Sequence, residues 1–119
     1  MTNHINPGDV VYFDFPLDDG GHLKHYGLVV QVEDTITNRV TIRVAYGSTK
    51  KVSVTGHLPH EFVLAEPEEL ERAGLKKPTR FDLRRTIRLC LEDGLELRGS
   101  IDLRDGRILK RLKTAIKAI

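Results

Sequence analysis

The residues best suited to chemistry lie between Lys77 and Ile87, in the segment KPTRFDLRRTI. If this segment is a strand, alternation places its apolar side chains on one face, where they suit a core. The opposite face then carries a row of charged residues: Arg80, Asp82 and Arg84. Such a row can bind a phosphate, and the arginines favour an ionised Asp82 that accepts a proton. The alternative is a solvated strand face whose ion pairs contribute at most ~1 kcal/mol each.

Length and composition are those of an ordinary globular protein. The chain has 119 residues, of which 39% are hydrophobic and 30% charged, enough for one domain, 1–119, with a real core. It lacks both a signal-peptide pattern and an apolar run near the ~20 residues of a membrane helix. A single cysteine, Cys90, excludes an internal disulfide and a cysteine zinc cluster. We therefore expect a cytoplasmic protein that does not associate with membranes.

The positive charge is concentrated in two segments, although the net charge is only +2. Asp82 is the one acid between Arg72 and Arg88, where seven residues are basic, and six basic residues follow from Arg104 onward. Two basic segments on a nearly neutral chain indicate a local surface for a polyanion. All five histidines lie in the first 60 residues. Those at 22, 57 and 60 are interpreted as ordinary loop residues, because their spacing forms no recognisable metal motif.

Strand patterns dominate the first half of the chain. Alternating apolar residues of high β-propensity predict strands at 10–15, 25–33, 40–46 and 61–64. In the second of these, Leu28, Val30 and Val32 are expected on one inward face. Turns are predicted at Thr37-Asn38 and Glu92-Asp93-Gly94, and a glycine-rich loop at Asp18-Asp19-Gly20-Gly21.

Two helices are predicted in the second half. Near 67–73, a proline, several acids and a closing glycine have the order typical of a short helix. Near 103–118, apolar residues recur on one helical stripe, with Ser100, Asp102 or Asp105 as the N-cap. Short strands with two helices predict an α+β, mainly β fold: a small, strongly bent sheet or barrel with the last helix packed on it.

With these features the sequence resembles the MazF/PemK/Kid family of toxin–antitoxin endoribonucleases. The resemblance covers most of the chain in the family's order, with a terminal amphipathic helix. Its motifs are Gly8-Asp9-Val10-Val11, Asp14-Phe15-Pro16, Leu28-Val29-Val30, Val44-Ala45-Tyr46-Gly47-Ser48-Thr49-Lys50 and the stretch from Gly74 to Ile87. Within that last stretch, residues 80–87 resemble the family segment Arg-x-Asp-x-x-Arg-Thr-Ile.

The resemblance implies an SH3-like barrel that forms a homodimer and binds single-stranded RNA. It further implies a growth-inhibiting hydrolase that cuts RNA without metal or cofactor, because the ribose 2′-hydroxyl attacks the adjacent phosphate. The products are then a 2′,3′-cyclic phosphate and a 5′-hydroxyl. A cognate antitoxin protein would inhibit the enzyme by covering the same groove.

The resemblance also assigns catalytic roles. Asp82 corresponds to the family's base, and Arg80 to its phosphate clamp and possible acid, with Arg85 in support. These residue types suit the reaction, which needs a base for the 2′-proton, an acid for the 5′-oxygen and a cation for the phosphorane. His25 stands where the family commonly has an arginine. A histidine can act there as acid, base or cation near neutral pH.

Further residues are assigned to RNA binding. Ser48 and Thr49 stand at the family's threonine position after the third strand, and Lys50 follows them. Lys50 either follows the RNA backbone or is a solvated charge. Tyr26 either stacks on a base, which contributes ~1–3 kcal/mol per base in other systems, or covers the edge of the core. Arg85 completes this set.

A second hypothesis follows from position 25. Replacement of the family's arginine by His25 equally suits a barrel that has lost cleavage. Such a protein would be a catalytically inactive binding module for RNA or for a protein, since one fold supports many functions.

Overall fold

A computed structural model describes residues 5–16, 20–34, 40–90 and 94–119 of the chain. The described residues form an antiparallel six-stranded sheet that curls into a half-barrel, together with two helices, which confirms the predicted fold class. The elements are β1 Asp9–Pro16, β2 His22–Asp34, β3 Val40–Ser48, β4 Glu61–Leu64, α1 Pro67–Ala73, β5 Thr79–Cys90, β6 Glu96–Ser100 and α2 Gly106–Lys117. The predicted turns at Thr37-Asn38 and Glu92-Asp93, and Asp18-Asp19 of the predicted loop, lie outside the described residues.

The strands follow one another across the sheet in the order β4-β5-β3-β2-β1-β6. The two edge strands are thus β4 and β6, and α1 lies between them. Its closing residue Gly74 has the left-handed φ of 70°, and a Cβ there would meet the carbonyl oxygen of Arg98 at 2.3 Å. Only a glycine permits this close approach. Helix α1 therefore contacts β6 directly and spans the gap between the sheet's edges.

Each side of the sheet carries its own core. The helix-side core contains Leu28, Phe62 and Phe81 and is covered by Ile108 and Ala115 of α2. The second core, on the opposite side, is formed by seven buried residues: Ile5, Val11, Phe13, Phe15, Val29, Ile42 and Val44. Residues adjacent in a strand divide between the two cores because strand side chains alternate.

Strand β2 does not keep a single inward face along its length. Leu28 lies in the helix-side core and Val30 packs against it, as predicted. Val32 instead packs against the second core, so its predicted position is wrong. The cause is a shift in register between Val29 and Gln31, where β2 pairs with β3. An irregularity of this kind exchanges the two faces of a strand.

Strand β5 contains a larger irregularity. Ala45 of β3 pairs with Thr86, but the next residue, Tyr46, pairs with Asp82. Three residues of β5, 83–85, are therefore extra at this point, and the phase of alternation changes across them. Leu83 lies in the helix-side core, whereas Ile87, four residues later, packs against the second core.

The C-terminal part contains one strand that the sequence did not suggest, β6. Its sequence, ELRGS, has no β-branched or aromatic residue. Helix α2 begins after Asp105, whose side chain accepts a hydrogen bond from the main-chain N–H of Arg107. Its apolar stripe is buried only in part, since the side chains of Ile116 and Ile119 are exposed. Among the described residues, no helix is long and apolar enough to cross a bilayer.

Candidate functional site

The predicted base Asp82 lies in a row of polar side chains that crosses three strands. Its partner in the register is Tyr46 on β3, and its partner on the other side is Glu61 on β4. Directly opposed residues of antiparallel strands point to the same side of a sheet. These three residues therefore define one surface, the site face. Because Tyr46 packs against the second core, the site face is the side of the sheet opposite the helix-side core.

The extra residues of β5 place Arg85 on the site face. Its guanidinium carbon lies 4.3 Å from the ring centroid of Tyr46 and 5.2 Å from that of Phe15. The two rings contact each other edge to face, with centroids 4.9 Å apart. Arg85 itself is exposed. An exposed cation held over aromatic rings can receive an anion from solvent, and its attraction to the rings is worth ~0.5–1 kcal/mol.

Arg84 does not extend the predicted row of Arg80, Asp82 and Arg84. Its Nη2 donates a hydrogen bond of 3.0 Å to the carbonyl oxygen of Ala118, at the end of α2. A cation at the C-terminal end of a helix satisfies an orphan carbonyl and interacts favourably with the helix dipole. Simple alternation predicted the position of the Arg84 side chain wrongly, because Arg84 is one of the extra residues of β5. Its side chain binds the end of α2 instead.

His25 contacts the same aromatic group from β2. Its Nε2 lies 3.5 Å from the hydroxyl oxygen of Tyr46, and the two ring centroids are 4.7 Å apart. Burial lowers the pKa of His25 from its ordinary value of 6.5, and the positive charges of Arg85 and Lys50 lower it further. A hydrogen bond with the backbone of Gly47 opposes this lowering in part. The free protein thus favours a neutral His25, which accepts protons more readily than it donates them.

Arg80, the predicted phosphate clamp, is part of an internal network. Its Nη1 donates to Oε2 of Glu61 at 2.7 Å, and its Nε donates to the carbonyl oxygen of Lys50 at 2.9 Å. Glu61 is only 6% exposed, and its Oε1 accepts a hydrogen bond from the main-chain N–H of Leu58. Arg80 therefore joins β4, β5 and the turn after β3, and it compensates a buried carboxylate. The exposed cation of the site face is Arg85 instead.

Asp82 has an unexpected neighbour, His60. The Nε2 of His60 lies 3.4 Å from Oδ1 of Asp82, and the His60 side chain is only 12% exposed. The same Oδ1 accepts a hydrogen bond of 3.0 Å from the main-chain N–H of Arg84. His60 was predicted to be an ordinary loop residue. Its contact follows from the pairing of β4 with β5, since His60 immediately precedes Glu61, the cross-strand partner of Asp82.

The predicted RNA-binding residues do not all lie together. Ser48 is buried, and its hydroxyl accepts a hydrogen bond from the main-chain N–H of Lys50, which shapes the turn after β3. Thr49 and Lys50 are exposed beside the site face. Tyr26 lies on the other side of β2, where it packs against the helix-side core and, with ring centroids 4.9 Å apart, against Tyr12. Tyr26 is thus separated from His25 by the sheet.

Two clefts of the described residues lie near the helices: one of about 350 Å³ between β4 and α2, and one of about 620 Å³ between the two helices. The first reaches Glu61 but not Asp82, His25 or Arg85. Within the described part of the chain, no group of His, Cys, Asp and Glu side chains is arranged to hold a metal ion. The exposed cations Arg85 and Lys50 on and beside the site face suit a polyanion.

Replacing either arginine of this region tests the division of roles between them. Arg80→Ala leaves the buried carboxylate of Glu61 without its cation, so we expect a loss of about 1–3 kcal/mol or more in the free energy of unfolding. Arg85→Ala removes an exposed side chain and should cost about 1 kcal/mol or less. Urea unfolding of both variants measures the difference. Equal losses would show that Arg80 is no more structural than Arg85.

The lowered pKa of His25 predicts a pH-dependent stability. The unfolded chain takes up a proton as the pH falls through 6.5, whereas folded His25 resists protonation until a lower pH. Its contribution is therefore fully present above the unfolded pKa and is lost as the pH falls toward the folded pKa. His25→Gln should reduce the fall in unfolding free energy between about pH 7 and about pH 5. The control is His57→Gln, at an exposed histidine, and an identical effect there would contradict the assignment.

Comparison of the chain with protein-family models and with curated sequences gave no match. The likeness to the MazF/PemK/Kid family therefore rests on the motifs quoted above and stays a prediction. His25 and Arg85 both contact the ring of Tyr46, and Asp82 is the cross-strand partner of that residue. The turn at Thr49-Lys50 is exposed. The geometry leaves Tyr26 on the far side of the sheet and uses Arg80 internally.

Proposed function

We propose that the protein is a metal-independent endoribonuclease that cuts single-stranded RNA on the site face. The observation that supports the proposal is that Tyr46 pairs with Asp82 across the strands, while its ring carries the exposed guanidinium of Arg85. Cleavage of an RNA chain by its own 2′-hydroxyl needs a proton acceptor next to a cation that holds the phosphate. His25, whose Nε2 lies 3.5 Å from the hydroxyl oxygen of Tyr46, would be a second proton carrier.

In the proposed reaction the phosphodiester binds to Arg85 and Lys50. Asp82 takes the proton of the 2′-hydroxyl through Oδ2, because Oδ1 already accepts a hydrogen bond from Arg84. The 2′-oxygen then forms a bond to phosphorus and the bond from phosphorus to the 5′-oxygen breaks. The products are a 2′,3′-cyclic phosphate and a 5′-hydroxyl.

His25 would protonate the departing 5′-oxygen. In the free protein its pKa is lowered by burial and by the cations Arg85 and Lys50. A bound phosphate places a negative charge beside those cations and opposes their effect, so the imidazolium form becomes more accessible once RNA is bound. The acid would thus be generated by the substrate itself, and it would replace the acid role that the family resemblance gives to Arg80.

The partners expected from the resemblance belong to the same proposal. A homodimer could use the exposed apolar side chains of Ile116 and Ile119 at the end of α2. A cognate antitoxin protein would inhibit cleavage by covering the site face, and the exposed cation Arg85 there suits an acidic segment. Action on cellular messenger RNA, with growth inhibition as the result, would place the enzyme in the cytoplasm.

A direct test is the incubation of a long RNA of mixed sequence with purified protein in EDTA, followed by mapping of the new ends. We expect discrete cuts with 5′-hydroxyl ends. Asp82→Asn should reduce the cleavage rate by about 10²-fold or more, because it removes the base. Asp14→Asn, the same change at an exposed position of β1, should cut like the wild type. Cleavage by Asp82→Asn at the wild-type rate would contradict the mechanism.

The second candidate is a binding module of the same fold without cleavage. It is favoured by one observation, the pairing of Arg80 with Glu61, which removes that guanidinium from an acid or clamp role. The same RNA experiment separates the two candidates. Intact RNA that still binds the folded protein, with binding weakened by Arg85→Ala, would favour the module.

A further inference from the structure

The carboxylate of Asp82 is held by one of its two oxygens. Oδ1 accepts the main-chain N–H of Arg84 at 3.0 Å and lies 3.4 Å from Nε2 of His60. Oδ2 has no polar contact with any residue that the structure describes. The carboxylate is therefore anchored through Oδ1, and Oδ2 is the oxygen available to a substrate.

His60 is itself fixed in position. Its carbonyl oxygen accepts a hydrogen bond of 3.2 Å from the main-chain N–H of Leu83. The next residue, Glu61, is held by both Arg80 and the main-chain N–H of Leu58. These bonds secure the start of β4 without the imidazole. The ring of His60 is thus not needed for strand pairing, yet it is largely buried against Asp82.

Asp82 is the partner of His60, because the other charged groups near this contact are paired elsewhere. Glu61 is compensated by Arg80, and the guanidinium of Arg84 is directed to the end of α2. Among the described residues, Asp82 is the acid that the His60 ring contacts. A neutral imidazole protonated on Nε2 can donate to Oδ1 and leave Oδ2 free.

We propose that His60 is a positioning residue for Asp82, and this inference rests on the proposed function. The Nε2 of His60 lies against Oδ1, and this contact leaves Oδ2 to accept the proton of the 2′-hydroxyl. Carboxylate–imidazole pairs of this kind fix both the orientation and the tautomer of their members. His60 does not touch RNA in this account and acts only through Asp82.

The tautomer of His60 tests the contact without any RNA. Long-range ¹H–¹⁵N spectra of the wild-type protein at neutral pH should show the His60 ring protonated on Nε2. In Asp82→Ala this preference should be lost, whereas the ring of His57, which lies against the carbonyl of Leu58, should be unchanged. A wild-type His60 protonated only on Nδ1 would overturn the proposal.

The kinetic consequence is tested with three variants and a short RNA substrate. His60→Phe should lower kcat by up to about 100-fold with KM unchanged, because the base is misplaced while RNA binding is intact. His60→Gln retains an N–H donor near the Nε2 position and should recover most of kcat. His57→Gln, at the exposed histidine of the same loop, is the control. Thermal unfolding of each variant separates a loss of positioning from a loss of fold.

The outcomes distinguish the inference from the function on which it rests. In the first outcome, the wild type cleaves RNA and a folded His60→Phe variant cleaves it equally well. His60 then has no positioning role, and the endoribonuclease proposal stands. If the wild type does not cleave RNA, the proposed function fails and the positioning role fails with it. In that case an observed tautomer preference would show only that His60 contacts Asp82 in the folded protein.

Discussion

The interruption of β5 is the feature on which the rest of the structure depends. Three residues of β5 are inserted where β3 advances by only one residue, and their side chains lie in three different environments. Leu83 enters the helix-side core, Arg84 binds the end of α2, and Arg85 lies over Tyr46. A regular strand would place 83 and 85 on the same side of the sheet. The insertion therefore binds the end of the last helix through Arg84 and places the cation of Arg85 over Tyr46, the cross-strand partner of Asp82.

The two ends of this interruption support the site in different ways. On the β4 side, the buried Glu61 and its partner Arg80 hold the strands together at low exposure, where an uncompensated charge would be costly. On the β2 side, His25, Tyr46 and Arg85 form an aromatic and cationic cluster open to solvent. In the proposed reaction, Asp82, which contacts His60 at the β4 side, would be the base, and the exposed Arg85 would contact the phosphate. Preorganised groups beside an exposed surface are what RNA cleavage without metal requires.

Local patterns predicted the elements well, but the site only in part. Alternation and turn residues are short-range properties, so β4 and α1 were predicted at their observed bounds. Strand β6 was missed because its sequence carries no β-rich signal, and its place is set by pairing with β1. The contact of His60 with Asp82 likewise needs a register between distant segments. The side of β2 that Tyr26 occupies does follow from alternation, because Tyr26 lies two residues before Leu28 and shares its face.

We propose that RNA binds the site face and not the basic helix α2. This proposal is tested by a titration of ¹⁵N-labelled protein in EDTA with a short RNA whose 2′-hydroxyls are replaced by hydrogen. Binding at the site face should produce chemical-shift changes centred on Tyr46, Asp82 and Arg85, and should raise the pKa of His25 as the phosphate offsets its neighbouring cations. Changes confined to Lys110–Lys117, with the site face unaffected, would contradict it.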